Sequence, residues 1–116
     1  MKIAHITINT TKLDESVRFY QNVLGLEIVG DLRQGGGMSI VFLSSAAEEA
    51  SIELIENEDE PYSGTGLSIG FHTDGVDAAY ERVQKIGLRP SPMISPKPGV
   101  KFFFIEDSNG VKIQLT

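Results

Sequence analysis

The chain contains no cysteine among its 116 residues. That absence excludes a thiolate zinc site, a disulfide framework and a cysteine nucleophile. No apolar run approaches the ~18 residues of a membrane span. No basic segment followed by an apolar core opens the chain, so a secretory signal is not expected and the cytoplasm is the expected location. Basic residues are few, ten against sixteen acidic ones, and scattered, giving a net charge of −6. Phosphate neutralisation needs clustered Lys and Arg, so nucleic acid is excluded as a partner. Acidity of this kind serves solubility first, and could also favour a cationic ligand or a metal ion.

What is present is a pattern written twice. Residues 3–25 read as strand, helix and turn, opening with a strand of alternating polar and apolar positions over 3–9. A helix follows, with a capping box from Thr11 to Asp14 and apolar residues at Leu13, Val17, Tyr20 and Val23/Leu24; Gly25 ends it. The stretch SIGFHTDGVDAAYERVQKIGL (68–88) lays over HITINTTKLDESVRFYQNVLGL (5–26), with His5 on Ser68, Thr10 on Thr73, Leu13 on Val76 and Asp14 on Asp77. The half-chains also end alike, SIELIE (51–56) against KIQLT (112–116), which sets Glu53 opposite Gln114.

Each half reads as βαβββ. In the first, strands are expected at 26–33, 38–44 and 51–56, with the QGGG hairpin at 34–37. Residues 57–66, acidic and turn-rich, read as a linker between modules 1–56 and 67–116 of a single domain. The second half gives a strand at 67–73 and a helix from about Gly75 to Ile86 with Asp74 as N-cap. A proline-weakened edge strand at 88–94, a turn at 95–99, a strand at 100–106, a hairpin at 107–110 and a last strand complete it. A sheet carrying one helix has a second face to cover. The expected fold is therefore α+β, two tandem βαβββ modules forming a cupped eight-stranded mixed sheet.

Strand alternation decides what faces the cup. The helices should cover Ala4/Ile6/Ile8, Ile52/Leu54, Leu67/Ile69/Phe71 and Val111/Ile113/Leu115. The opposite rows are His5/Thr7/Asn9, Ser51/Glu53/Ile55, Ser68/Gly70/His72 and Lys112/Gln114/Thr116. A histidine on such a row is either a satisfied sheet residue or a ligand. Glu53, in a short apolar strand, is either exposed at an edge or coordinated. His72 falls nearer the mouth. Phe102, Phe103 and Phe104 must send rings to both faces, as core or as an aromatic wall.

The duplicated module, the FYQNVLGL run at 19–26, the EDSNGVKIQL ending and the placement of His5 and Glu53 resemble the vicinal oxygen chelate superfamily. That group holds glyoxalase I, bleomycin-type resistance proteins, extradiol dioxygenases and methylmalonyl-CoA epimerase. The resemblance covers essentially the whole chain and implies fold more specifically than function. It implies four metal-ligand places, here His5, Glu53, Ser68 and Gln114. His5 and Glu53 fit the pattern, Ser68 stands where a histidine is expected, and Gln114 stands where a glutamate is expected.

The implied activity is a glyoxalase-I-like lyase or isomerase acting on a small oxygen-bearing substrate. A divalent metal (Zn, Ni, Mn or Fe) would sit on His5, Glu53 and Gln114, with Glu53 as the catalytic base. Substrate contacts are expected from Thr7, Asn9, Asn57, Ser68, His72, Phe102 and Phe104. Of these, Asn57 matches an asparagine of the glutathione site, whereas Asn9 replaces an arginine. The alternative is a metal-free protein that sequesters a small antibiotic-like molecule in a dimer groove. A homodimer is expected either way, because open sheet edges and an apolar concave face are costly to expose.

Overall fold

The computed structural model describes all 116 residues, Met1–Thr116. They form two compact units, Met1–Ser63 and Gly64–Thr116. Each has the order strand, helix, three strands.

The first unit contains β1 (His5–Thr10), α1 (Leu13–Asn22), β2 (Glu27–Asp31), β3 (Ile40–Ser44) and β4 (Ser51–Glu56). Its sheet runs β1-β4-β3-β2, with β1 parallel to β4 and the other pairs antiparallel. The parallel pair is what the helical crossover permits, since α1 carries the chain over one face. Leu13, Val17 and Tyr20 recur at helical spacing and are buried, together with Ile8, Val41, Leu43, Ile52 and Leu54 of the sheet. Gly25, at φ 71°, turns the chain out of the helix, and its N–H bonds the Gln21 carbonyl at 3.1 Å.

The second unit repeats this with β5 (Ser68–Phe71), α2 (Val76–Lys85), β6 (Ile94–Lys97), β7 (Val100–Glu106) and β8 (Lys112–Leu115). Its sheet order is β5-β8-β7-β6, with β5 parallel to β8. Its core is Ile69, Ala79, Val83, Phe103, Ile105, Val111, Ile113 and Leu115. Helix α2 ends at Gly87 (φ 92°), where the Gly87 N–H bonds Gln84 and the Leu88 N–H bonds Val83.

The architecture is thus mixed α+β, two four-stranded mixed sheets each carrying one helix, and the repeat read in the sequence is the repeat in the fold. Several local expectations fail for identifiable reasons. The Thr11–Asp14 capping box does not form: Lys12 is the N-cap residue and no side chain caps the helix. Two residues before the N-cap, Thr10 Oγ1 accepts the Lys12 N–H at 2.9 Å and meets Ser16 Oγ at 3.2 Å, holding the chain as it enters the helix. Asp74 does not cap α2 either, since Gly75 holds that place, and Asp77 turns away to bond Lys101 Nζ at 3.0 Å.

The edge strand expected at 88–94 lies instead at Ile94–Lys97, inside the expected 95–99 turn. Pro90 and Pro92 have no N–H to give; between them Ser91 is tied to β7 twice, its N–H donating to the Phe104 carbonyl at 2.8 Å and its Oγ accepting the Phe104 N–H at 2.9 Å. Strands β2, β3 and β5 are each shorter than expected. Leu67 and Ala4 consequently lie before their strands and are exposed rather than covered by a helix.

Duplication also reveals an imperfection. Thr73 corresponds to Thr10 and Ala79 to Ser16, both by the offset that aligns Asp14 with Asp77. The Thr10 hydroxyl is satisfied by its neighbours, whereas Thr73 Oγ1 is buried with no hydrogen-bond partner. An unsatisfied buried hydroxyl is destabilising, and a hydrogen bond restored there is worth about 1 kcal/mol. Ala79→Ser is therefore expected to raise the midpoint of thermal unfolding by about 4 °C. An unchanged or lower midpoint in calorimetry would contradict the equivalence.

Candidate functional site

On the first sheet, the face away from α1 carries a polar row. His5 pairs with Ser51 across the parallel ladder, Thr7 with Glu53 and Asn9 with Ile55. Phe42 of β3 pairs with Glu53 from the other side. Period-two alternation sends Ile8, Ile52 and Leu54 into the core and leaves these side chains on the open face.

Three groups meet there. Glu53 Oε1 accepts the Thr7 hydroxyl at 2.5 Å and lies 3.5 Å from His5 Nε2. The Glu53 side chain is only 12% exposed and that of His5 46%, so the carboxylate is sheltered and the imidazole accessible. The His5 ring stands edge-to-face with Phe42, centroids 6.1 Å apart. Gly30 gives the Phe42 ring its room: a Cβ there would approach Phe42 Cδ2 to 3.2 Å. Arrangement follows from sequence through register, because parallel pairing of β1 with β4 sets positions 5, 7 and 53 side by side.

The second sheet presents the equivalent row with different chemistry. Gln114 lies between Gly70 and Phe104, as Glu53 lies between Thr7 and Phe42. Ser68 takes the place of His5 and pairs with Lys112. Phe102 and Phe104 are half-buried, with centroids 5.8 Å apart, while Phe103 between them is fully buried. Lys112 Nζ lies 5.2 Å over the Phe104 ring.

The remaining residues expected at the site fall as follows. Asn9 is half-buried on the row of His5 and Thr7, and its carbonyl accepts the Tyr62 N–H. Asn57 Oδ1 is engaged in a turn, accepting the N–H groups of Asp59 and Glu60 at 3.1 and 3.0 Å. His72 is exposed and lies beyond the end of β5. Phe42 was not anticipated. Its signal was available, since extending the repeat from Glu53/Gln114 to their cross-strand neighbours sets Phe42 against Phe104.

The donor chemistry can be tested against a divalent metal. An imidazole nitrogen and a carboxylate oxygen 3.5 Å apart on an open face suit two neighbouring ligands of one small cation. Ser68 and Gln114, at the equivalent places of the second sheet, offer neutral oxygens. No group of three or more His, Asp or Glu side chains is placed to hold a metal. The fit thus rests on the His5–Glu53 pair.

Comparison with known proteins bears on the family and the fold. Residues 2–115 match the profile of the Glyoxalase/Bleomycin resistance protein/Dioxygenase superfamily. The chain is 26% identical to the lactoylglutathione lyase of Neisseria meningitidis serogroup A, over 99% of its own length and 89% of the relative's. It is 30% identical to the lactoylglutathione lyase of Haemophilus influenzae, over 99% of its length and 91% of the relative's. Among solved structures, the fold matches the trypanothione-dependent glyoxalase I of Leishmania major with a TM-score of 0.81 at 20% identity, covering 99% of this chain and 85% of that one. It also matches TnmS3, an antibiotic binding protein from Streptomyces sp. CB03234, with a TM-score of 0.80 at 19% identity, covering 100% and 94%. The duplicated βαβββ fold and the family match over nearly every residue lead to one conclusion: this chain belongs to the Glyoxalase/Bleomycin resistance protein/Dioxygenase superfamily.

Proposed function

We propose that this protein is a glyoxalase-type lyase or isomerase acting, in the cytoplasm, on a small molecule with two neighbouring oxygens. One observation carries the reading: the accessible His5 imidazole stands 3.5 Å from the sheltered Glu53 carboxylate on an open sheet face. Lactoylglutathione lyases among the relatives support the same reaction class.

His5 and Glu53 are the residues that would hold a divalent cation, which when bound supplies a Lewis acid for the ligand's paired oxygens. Gln114, which the family resemblance names as a further donor, offers a neutral carbonyl oxygen at the equivalent place on the second unit. Glu53 is the group able to move a proton between adjacent carbons, because its Oε1 is held by the Thr7 hydroxyl and its carboxylate is turned to the open face. Phe42 fixes the imidazole edge-on, so His5 is oriented before any ligand arrives.

Elemental analysis of purified, unchelated protein tests this directly. One first-row metal per chain is expected in the wild type and little or none in His5→Ala. A metal-free wild type would overturn the lyase reading.

The second reading is a metal-free protein that sequesters a planar small molecule, as TnmS3 binds an antibiotic. Its specific support is the half-buried Phe102–Phe104 pair beside neutral Ser68 and Gln114. On either reading the chain is expected to pair with a second copy, and sizing should give about twice the 12.6 kDa monomer mass. Elution as a monomer contradicts that assembly.

A further inference from the structure

A cavity of about 700 Å³ lies in the first unit, between α1 and the end of β2. Asp14, Val17, Arg18 and Gln21 line it from successive turns of the helix, and Asp31 and Arg33 line it from the strand end and the hairpin beyond. Its charges are unevenly committed. The Arg33 guanidinium is locked, with Nη2 2.5 Å and Nε 3.2 Å from Asp31 Oδ2, and Nη1 3.2 Å from Asp14 Oδ1. Hydrogen bonds with each other hold the Asp31 carboxyl below its usual range and the Arg33 guanidinium above its own, so both stay charged.

Arg18 is left over. Its natural partner is Asp14, four residues earlier on the same helix face. Arg33 has taken that carboxylate by one oxygen, and no carboxylate lies within ion-pair distance of Arg18. The cavity therefore offers one free guanidinium and one free carboxylate oxygen, Asp14 Oδ2, on a side chain that is 73% exposed. Two carboxylates and two guanidiniums cancel across the lining, so neither a plain anion nor a plain cation meets an uncompensated field. The chain's charge of −6 further disfavours a free anion. A ligand carrying both signs a short distance apart is the complement. Val17, almost wholly buried, is the one apolar side chain among the lining residues, so the two opposite charges dominate what the cavity offers.

We propose that this cavity binds a small zwitterion of the α-amino-acid class, with its carboxylate on Arg18 and its ammonium on Asp14. The site is separate from the His5–Glu53 face, so it stands or falls independently of the proposed reaction. An NMR titration of the ¹⁵N-labelled full chain tests it with three probes of one carbon skeleton: L-leucine, 4-methylpentanoate and 3-methylbutylamine. L-leucine is expected to shift amides at 14–21 and 31–34, and to bind at least about tenfold more tightly than either singly charged analogue. Arg18→Gln should weaken leucine by a similar factor. Glu15→Gln, on the same turn but outside the cavity, should leave it unchanged. Equal binding of 4-methylpentanoate, unaltered leucine binding by Arg18→Gln, or no shifts at these residues would each overturn the proposal.

Discussion

Glu53→Gln is expected to lower turnover of the methylglyoxal–glutathione hemithioacetal by about 10²–10⁴-fold while leaving the fold intact. The substitution keeps shape and an oxygen that can still accept the Thr7 hydroxyl, so the pairing at this point of β1 and β4 is preserved. What it removes is the capacity to take and return a proton, along with the anionic donor to the cation, so turnover is compared at saturating metal. Coincident thermal unfolding of wild type and variant, with the drop confined to kcat, is the expected pattern. Retained turnover would show that the proton moves through another group. Thr7→Val should act more mildly, since it removes one donor and leaves the carboxylate ionisable.

The largest stability effect is expected at Phe103. Its ring is fully buried and stands edge-on to Tyr80, centroids 4.9 Å apart. Truncation to alanine leaves a void that the sheet and helix close only in part, at a cost of about 3–5 kcal/mol. Phe102→Ala, one residue earlier on the opposite face, removes a half-buried ring and should cost clearly less. Urea unfolding of the two variants checks this. Similar losses would mean that the open face of β7 is as packed as the closed one.

That pair of phenylalanines also illustrates how far the sequence could be read. Alternation assigns faces wherever a strand is regular, which is why His5, Thr7 and Glu53 could be placed on one row and Ile8, Ile52 and Leu54 on the other. The duplicated pattern set Ser68 and Gln114 in register with His5 and Glu53, and the strand pairings repeat that register. Element ends were less legible, because they depend on where side-chain hydrogen bonds go. Thr11 and Asp74 carry good capping chemistry, yet Lys12 and Gly75 hold the N-cap places and neither helix has a side-chain cap. The segment at 88–93 shows the same limit: two prolines weaken a strand in any reading, but only the fold shows Ser91 bonding Phe104 through both its N–H and its hydroxyl.

Partners across strands were the hardest to foresee. Phe42 reaches Glu53 through antiparallel pairing of β3 with β4, and only the repeat, matching it to Phe104 beside Gln114, hints at that contact. The Arg33 tie to Asp14 joins a hairpin to a helix nineteen residues away and has no periodic signature. Such contacts arise from the sheet's geometry, after the strands have been laid side by side.

The account depends on the imidazole of His5 and the carboxylate of Glu53 acting on one bound cation. Isothermal calorimetry of chelator-stripped protein with Zn²⁺ and Ni²⁺, run on wild type, His5→Ala, Glu53→Gln and the double variant, measures that dependence most directly. Stoichiometric binding in the wild type is predicted, with each single change weakening it and the two changes strongly non-additive. Absence of binding in the wild type, or affinities unaffected by both changes, would contradict it.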